Sequence, residues 1–137
     1  MMGGCSEKDD AGDGWVMCSD CGLDAWIGSF TGKATFYNAT LVTEEEDLDI
    51  TVEFTETATE YLTVYITVPN YYSAAVSGDW TSPYSVSFAG SSTSLDGTMF
   101  KRYDRDSALR FSGNSKKFQF KADSLVVEKV VTFEVFK

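Results

Sequence analysis

The chain of 137 residues has no histidine, only two prolines and three cysteines, and about half as many bases as acids (11 Lys+Arg against 21 Asp+Glu). Each scarcity excludes a class of function. Without histidine there is no Ser-His-Asp triad, no Cys-His pair, no histidine-ligated zinc and no imidazole titrating near neutrality. No stretch of about 20 apolar residues occurs, so no segment reads as a membrane-spanning helix. A net charge of −10 argues against nucleic acid and anionic membrane surfaces as main partners. What is abundant is aromatic: ten Phe, seven Tyr and three Trp in a chain that is 43% hydrophobic. The length suits a single domain with its own core.

The charge is unevenly placed. Residues 1–25 carry −5, residues 26–60 carry −7 and residues 61–100 carry −2, whereas residues 101–137 carry +4. Lys101, Arg102, Arg105, Arg110, Lys116, Lys117 and Lys121 make up most of that basic end, interleaved with Phe100, Tyr103, Phe111, Phe118 and Phe120. Basic and aromatic residues together bind single-stranded nucleic acid when displayed on a surface. Here the Phe residues fall at core-facing alternation, which leaves the bases as the outer face of a hairpin pair. At this net charge an anionic glycan or an acidic protein suits them better than nucleic acid.

The N-terminus reads Met1-Met2-Gly3-Gly4-Cys5-Ser6-Glu7-Lys8-Asp9-Asp10. Small residues before a cysteine, then a short acidic stretch, resemble a bacterial lipoprotein processing site ending in Gly3-Gly4-Cys5. The run Glu7 to Asp10 is similar to the surface-export signals of Bacteroidetes lipoproteins. This resemblance implies lipidation at Cys5 and an outer-membrane anchor in the cell envelope, periplasmic or surface-exposed. The apolar segment that precedes such a site is missing, so the start is expected to be truncated or an internal Met. Ser6 to Gly14 lacks apolar periodicity and reads as a flexible tether. The expected organisation is an N-terminal segment, 1–25, and a domain, 26–137. Cys18-Ser19-Asp20-Cys21 is a C-x-x-C without the βαβ context of a redox motif and without four zinc ligands. A local disulfide and two unpaired thiols both remain open.

From Trp26 onward the apolar period is two. Leu48, Ile50, Val52 and Phe54 alternate with polar residues, as do Leu62, Val64, Ile66 and Val68, so each set predicts a half-buried strand. A first strand is predicted over residues 27–42, with Phe30, Gly32, Ala34 and Phe36 on one face. Glu44-Glu45-Glu46-Asp47 is expected to make the turn that follows. Further strands are predicted at Tyr84 to Phe88, Leu95 to Tyr103, Leu109 to Phe111, Phe118 to Ala122 and Leu125 to Phe136. Gly113-Asn114-Ser115 is read as a turn, Glu128-Lys129 as a bulge, and Val131, Phe133 and Val135 as core. About eight strands with short links favour an antiparallel meander barrel. The alternative is a two-layer β-sandwich, which needs a longer crossover that only residues 69–83 could supply.

The opening Trp26-Ile27-Gly28-Ser29-Phe30-Thr31-Gly32 and the closing Val131-Thr132-Phe133-Glu134-Val135-Phe136 resemble the small calycin-like (lipocalin-like) domains of Bacteroidetes lipoproteins. The chain is shorter than true lipocalins and lacks their C-terminal helix and their usual G-x-W order. The resemblance implies an eight-stranded barrel on a lipid anchor and supplies no ligand.

Residues 69–84, bracketed by both prolines, concentrate Tyr71, Tyr72, Trp80 and Tyr84. Such rings suit stacking on sugars or flat apolar ligands, so these four form the candidate binding rim; they also suit plugging one end of a barrel. The interior is the second candidate, since Gly32, Ala34, Gly97 and Ala122 could leave room or accommodate neighbouring Phe rings. The acids Glu44, Glu45, Glu46, Asp47 and Asp49 lack the spacing of a calcium loop, and no two carboxylates stand out as a glycosidase pair. The sequence reading is therefore a non-enzymatic, lipid-anchored envelope protein, without metal or cofactor, that binds a small apolar or carbohydrate ligand. The alternative is a structural or accessory surface lipoprotein that contacts another protein without a pocket.

Overall fold

The computed structural model describes residues 14–102 and 105–137, with 105–107 by backbone alone. Cys5, the expected lipidation site, lies outside the described residues. Among the described residues nine strands form one antiparallel sheet: β1 (Trp15–Met17), β2 (Gly28–Asn38), β3 (Thr43–Ala58), β4 (Tyr61–Val68), β5 (Tyr72–Asp79), β6 (Ser85–Ala89), β7 (Thr93–Arg102), β8 (Arg105–Lys121) and β9 (Ser124–Phe136). A single helical turn, α1 (Leu23–Trp26), precedes β2. The hydrogen-bonded order is β1-β7-β8-β9-β2-β3-β4-β5, with β6 paired on β7.

The all-β expectation holds, but the sheet does not close into the expected meander barrel. Among the described residues no ladder joins β5 to β6 or to β1. The sheet instead rolls until its two halves face each other. Phe54 on β3 meets Phe111 on β8 edge-to-face at 5.2 Å, although β9 and β2 lie between those strands. Strong local coiling makes the roll possible. A Cβ on Gly32 would lie 2.1 Å from Glu134 O, and one on Gly113 would lie 2.1 Å from Asp96 O. Only glycine permits such close strand approach, the usual way of bending a sheet.

Three local expectations are corrected. The acidic run Glu44 to Asp47 is not the turn between the first two long strands; it lies in β3, and residues 39–42 turn instead. Asn38 Oδ1 accepts a bond from Leu41 N, and Val42 adopts a positive φ of 53°. Glu46 and Asp47 form a bulge opposite Thr35. Gly113-Asn114-Ser115 is not a turn either: β8 runs unbroken for 17 residues. Alternation from buried Phe111 through Ser115 is thus never reset, so Phe118 and Phe120 point outward and Phe120 is 75% exposed. Finally, residues 15–25 fold against the domain, through β1, α1 and a Cys18–Cys21 disulfide. The bulge expected at Glu128-Lys129 is present, since Lys117 pairs Lys129 while Phe118 pairs Val127.

The interior is filled. Trp26, Phe30, Phe54, Phe111, Leu95 and Met99 are all essentially inaccessible. Trp26 stacks edge-on against Phe54 at 5.4 Å and Phe111 at 5.6 Å, and its indole N–H donates to Pro83 O at 3.0 Å. The small residue at Gly97 accommodates a ring: a Cβ there would sit 2.4 Å from Phe111 Cζ. Ala122, expected on the core face, is exposed in the β8–β9 turn with a φ of 50°.

Candidate functional site

The strand directions sort the loops onto two ends of the rolled sheet. At one end lie α1, the β3–β4 turn and the β5–β6 loop; at the other lie the β2–β3, β4–β5, β6–β7 and β8–β9 turns. The four residues of the expected aromatic rim are divided between them. Tyr71 and Tyr72 stand where β5 begins, and Trp80 and Tyr84 stand beyond its far end. Eight strand residues hold the two pairs roughly 25 Å apart.

The Trp80 and Tyr84 end is structural in character. Trp80 packs half-buried against the core, and its backbone N–H donates to Glu60 O at 2.8 Å. Its Nε1 is buried without a hydrogen-bond partner among the described residues. Tyr84 is partly exposed, and its carbonyl accepts from Met99 N at 2.7 Å. Trp26 and Pro83 close this end beneath them. Lys137 adds a further tie, donating to Ala25 O and Ile27 O; burial pulls its ammonium below the usual lysine range.

At the opposite end the tight β4–β5 turn, with Asn70 at a φ of 72°, presents Tyr71 and Tyr72 together. Tyr71 leans on Phe36, ring centroids 5.4 Å apart. Tyr72 is buried to 3% exposure, and its hydroxyl bonds Ser115 Oγ at 2.8 Å. Ser115 in turn donates its one proton to Ser94 O at 2.7 Å, so Tyr72 is the donor to Ser115. Desolvation pushes the Tyr72 phenol up to about 12, against a smaller opposing effect of the Ser115 bond.

Two lysines complete this end. Lys117 and Lys129 are cross-strand partners on the inner alternation of β8 and β9, so both turn toward Tyr72. Lys117 Nζ lies 5.4 Å from the centre of the Tyr72 ring, a cation–π contact. Together with Thr67 to Ser73 they line an open cleft of about 350 Å³. Neither lysine is in an ion pair with a described residue. The basic residues of β8 are expected on an outer hairpin face, but β8 runs unbroken from Phe111, which turns Lys117 inward beside Lys129, a residue no sequence pattern marks.

Among the described residues no group of three or more His, Cys, Asp or Glu side chains could hold a metal ion, and no helix is long and apolar enough to cross a membrane. No protein-family model matches the chain, and no curated protein matches it at a significant level.

Proposed function

We propose that this chain is a non-enzymatic binding module of the bacterial cell envelope, held by a lipid on Cys5, that takes an anionic carbohydrate between Tyr71, Tyr72, Lys117 and Lys129. The observation that carries the reading is the convergence of two lysines, neither in an ion pair with a described residue, on an aromatic wall at one end of the sheet. Tyr71 supplies a half-exposed ring face for a sugar. Lys117 and Lys129 supply ammonium donors for a carboxylate or sulfate. The filled interior favours an end cleft over a ligand inside the sheet. The resemblance of the Trp26 and Val131 segments to calycin-like lipoprotein domains supports the envelope setting, with the rolled sheet acting as a barrel-like body.

NMR chemical-shift mapping with uronic-acid oligosaccharides, and with neutral oligosaccharides as control, tests this. Shifts of Tyr71, Lys117 and Lys129 with the acidic glycans alone, lost in Lys117→Ala and Lys129→Ala, are the expected result. No shift at this end, or equal shifts with neutral sugars, would sink it. The second reading, an accessory lipoprotein that binds protein without a pocket, is favoured by the exposed apolar β8–β9 hairpin.

A further inference from the structure

The outer face of β2, β9 and β8 carries another and larger cleft. Two rungs of the ladder build it. In one, Lys33, Glu134 and Ser112 are successive cross-strand partners; in the next, Thr35, Thr132 and Asn114 are. Cross-strand partners share a face, and these lie on the alternation opposite to buried Ala34, Phe133 and Phe111. Most of these side chains are short and uncharged, and Gly113 between Ser112 and Asn114 has none. They leave the space above the sheet uncovered as an open cleft of about 800 Å³, against about 350 Å³ at the tyrosine end. Glu46 and Asp47, in the β3 bulge, border it.

Two features of this face point to a ligand. Ser112 Oγ and Asn114 Oδ1 are shielded from solvent and have no hydrogen-bond partner among the described residues. Polar atoms so placed are nearly always paired. Both belong to half-buried side chains that line the cleft, so a turn about χ1 presents either atom to a group lying in it. One rung beyond Glu134 on the same face, Phe136 is 42% exposed and meets the Trp15 ring at 5.9 Å. Thr132 to Phe136 spans about 13 Å of strand. A row of hydroxyl and amide groups that ends in an exposed ring has the chemistry to hold a sugar chain. The row hydrogen-bonds the sugar hydroxyls, and the ring offers an apolar surface to a pyranose face.

Charge decides which kind of sugar. Lys33 lines the cleft, but Asp49 holds its ammonium at 2.7 Å. Glu46, Asp47 and Glu134 then set the sign of the field that a ligand meets, and like charge repels an acidic glycan. We propose that this face binds an uncharged oligosaccharide lying along β9, its hydroxyls on Ser112, Asn114 and Thr132 and one pyranose ring on Phe136. The site shares no residue with the cleft of Tyr71, Tyr72, Lys117 and Lys129, so either can fail without the other.

Titration of the full chain with neutral cello- and manno-oligosaccharides, followed by NMR, tests this. The backbone amides of residues 112–114 and 132–136 are expected to shift. Asn114→Ala and Thr132→Val each raise the dissociation constant about fivefold, the loss of one hydrogen bond. Phe136→Ser raises it about tenfold, the loss of a stacking ring. Thr132 and Phe136 are exposed, so their variants keep the fold, which the dispersion of the same spectra checks. An absence of shifts at these residues with every neutral sugar overturns the proposal. So do shifts produced by amine-bearing chitosan oligosaccharides alone, which assign the binding to the carboxylates. Binding indifferent to Thr132→Val and Phe136→Ser overturns it as well.

Discussion

The Tyr72 hydroxyl bonds Ser115 Oγ at 2.8 Å and so ties β5 to β8, strands five steps apart along the hydrogen-bonded path. The ladder is open, yet side chains span the gap: Ser115 passes the connection to Ser94 O on β7, and Thr93 Oγ1 reaches Ala75 O on β5 at 3.4 Å. Polar contacts at the seam thus add to the packed core in holding the curled form of the sheet.

Tyr72 should reveal that seam on alkaline titration. Its phenol is raised to about 12 by burial, against about 10 in an unfolded chain. The folded state then holds the proton over a range in which the unfolded state releases it. The stability from this group is complete below pH 10 and is lost as pH climbs toward 12. Tyr72→Phe should flatten that part of the stability profile and cost about 1 kcal/mol at neutral pH, the usual worth of one hydrogen bond. Urea melts from neutral pH to just below the Tyr72 titration, followed together with phenolate absorbance, check both parts. An unchanged alkaline slope in the variant would show that the seam carries no such linkage.

Gly97 should be intolerant of a single methyl group. A Cβ there would meet Phe111 Cζ at 2.4 Å and Ser112 O at 2.9 Å. Phe111 cannot yield, being in ring contact with Trp26, Phe30, Phe54 and Phe133. Gly97→Ala should therefore destabilise by about 2 kcal/mol, in the range of overpacked cores. Gly22→Ala, where nothing lies within 4 Å, should cost less than about 1 kcal/mol. Chemical denaturation of the two variants makes the comparison, and equal losses would mean the core at Gly97 is looser than its geometry implies.

Much of the fold was legible because period-two alternation survives wherever one face is buried. Leu62 to Val68 and Val131 to Val135 show it plainly, and both lie where expected. Failures came where a residue's usual role was overridden by tertiary contact. Gly113 reads as a turn residue, yet it serves as the thin point at which β8 meets the Asp96 backbone. A turn at Gly113 would invert the alternation of Lys117, Phe118 and Phe120, so local pattern conceals both the lysine wall of the cleft and the apolar face of the hairpin. The four aromatic residues of the expected rim are divided for a different reason: composition gathers Tyr71, Tyr72, Trp80 and Tyr84, but a strand between them sends the two pairs to opposite ends. The seam of the open sheet is bridged by Tyr72 and Ser115, 43 residues apart, and no local pattern announces such a pair.

The Cys18–Cys21 bridge should act as a modest local brace rather than a condition of folding. It closes a loop of four residues, for which chain entropy gives about 2 kcal/mol. Other contacts hold the same segment. Cys18 N–H donates to Met99 O at 2.9 Å, and Asp20 pairs with Lys101 at 2.8 Å, a contact that holds the Asp20 carboxyl below its usual range. Calorimetry with and without reductant should show a lower melting temperature and a transition that stays cooperative. Loss of the transition on reduction would assign the bridge a larger role than its loop length supports.

Arg110 supplies the last contrast, between stacking and ion pairing. Its guanidinium lies 4.7 Å from the Phe100 ring centre and 5.3 Å from that of Trp15, and it is only 8% exposed. Its carboxylate contact among the described residues, to Glu134, is long at 3.4 Å, and the Glu134 side chain is 54% exposed. A half-solvated carboxylate contributes little, whereas a planar cation in contact with two rings gains from each. Arg110→Lys keeps the charge and loses the plane, so it should cost about 1–2 kcal/mol and loosen Trp15, visible as a change in near-ultraviolet circular dichroism. Glu134→Gln should cost less than about 1 kcal/mol and leave the Trp15 signal alone. If Glu134→Gln proves the more damaging of the two, β1 is held by charge and not by the aromatic clamp.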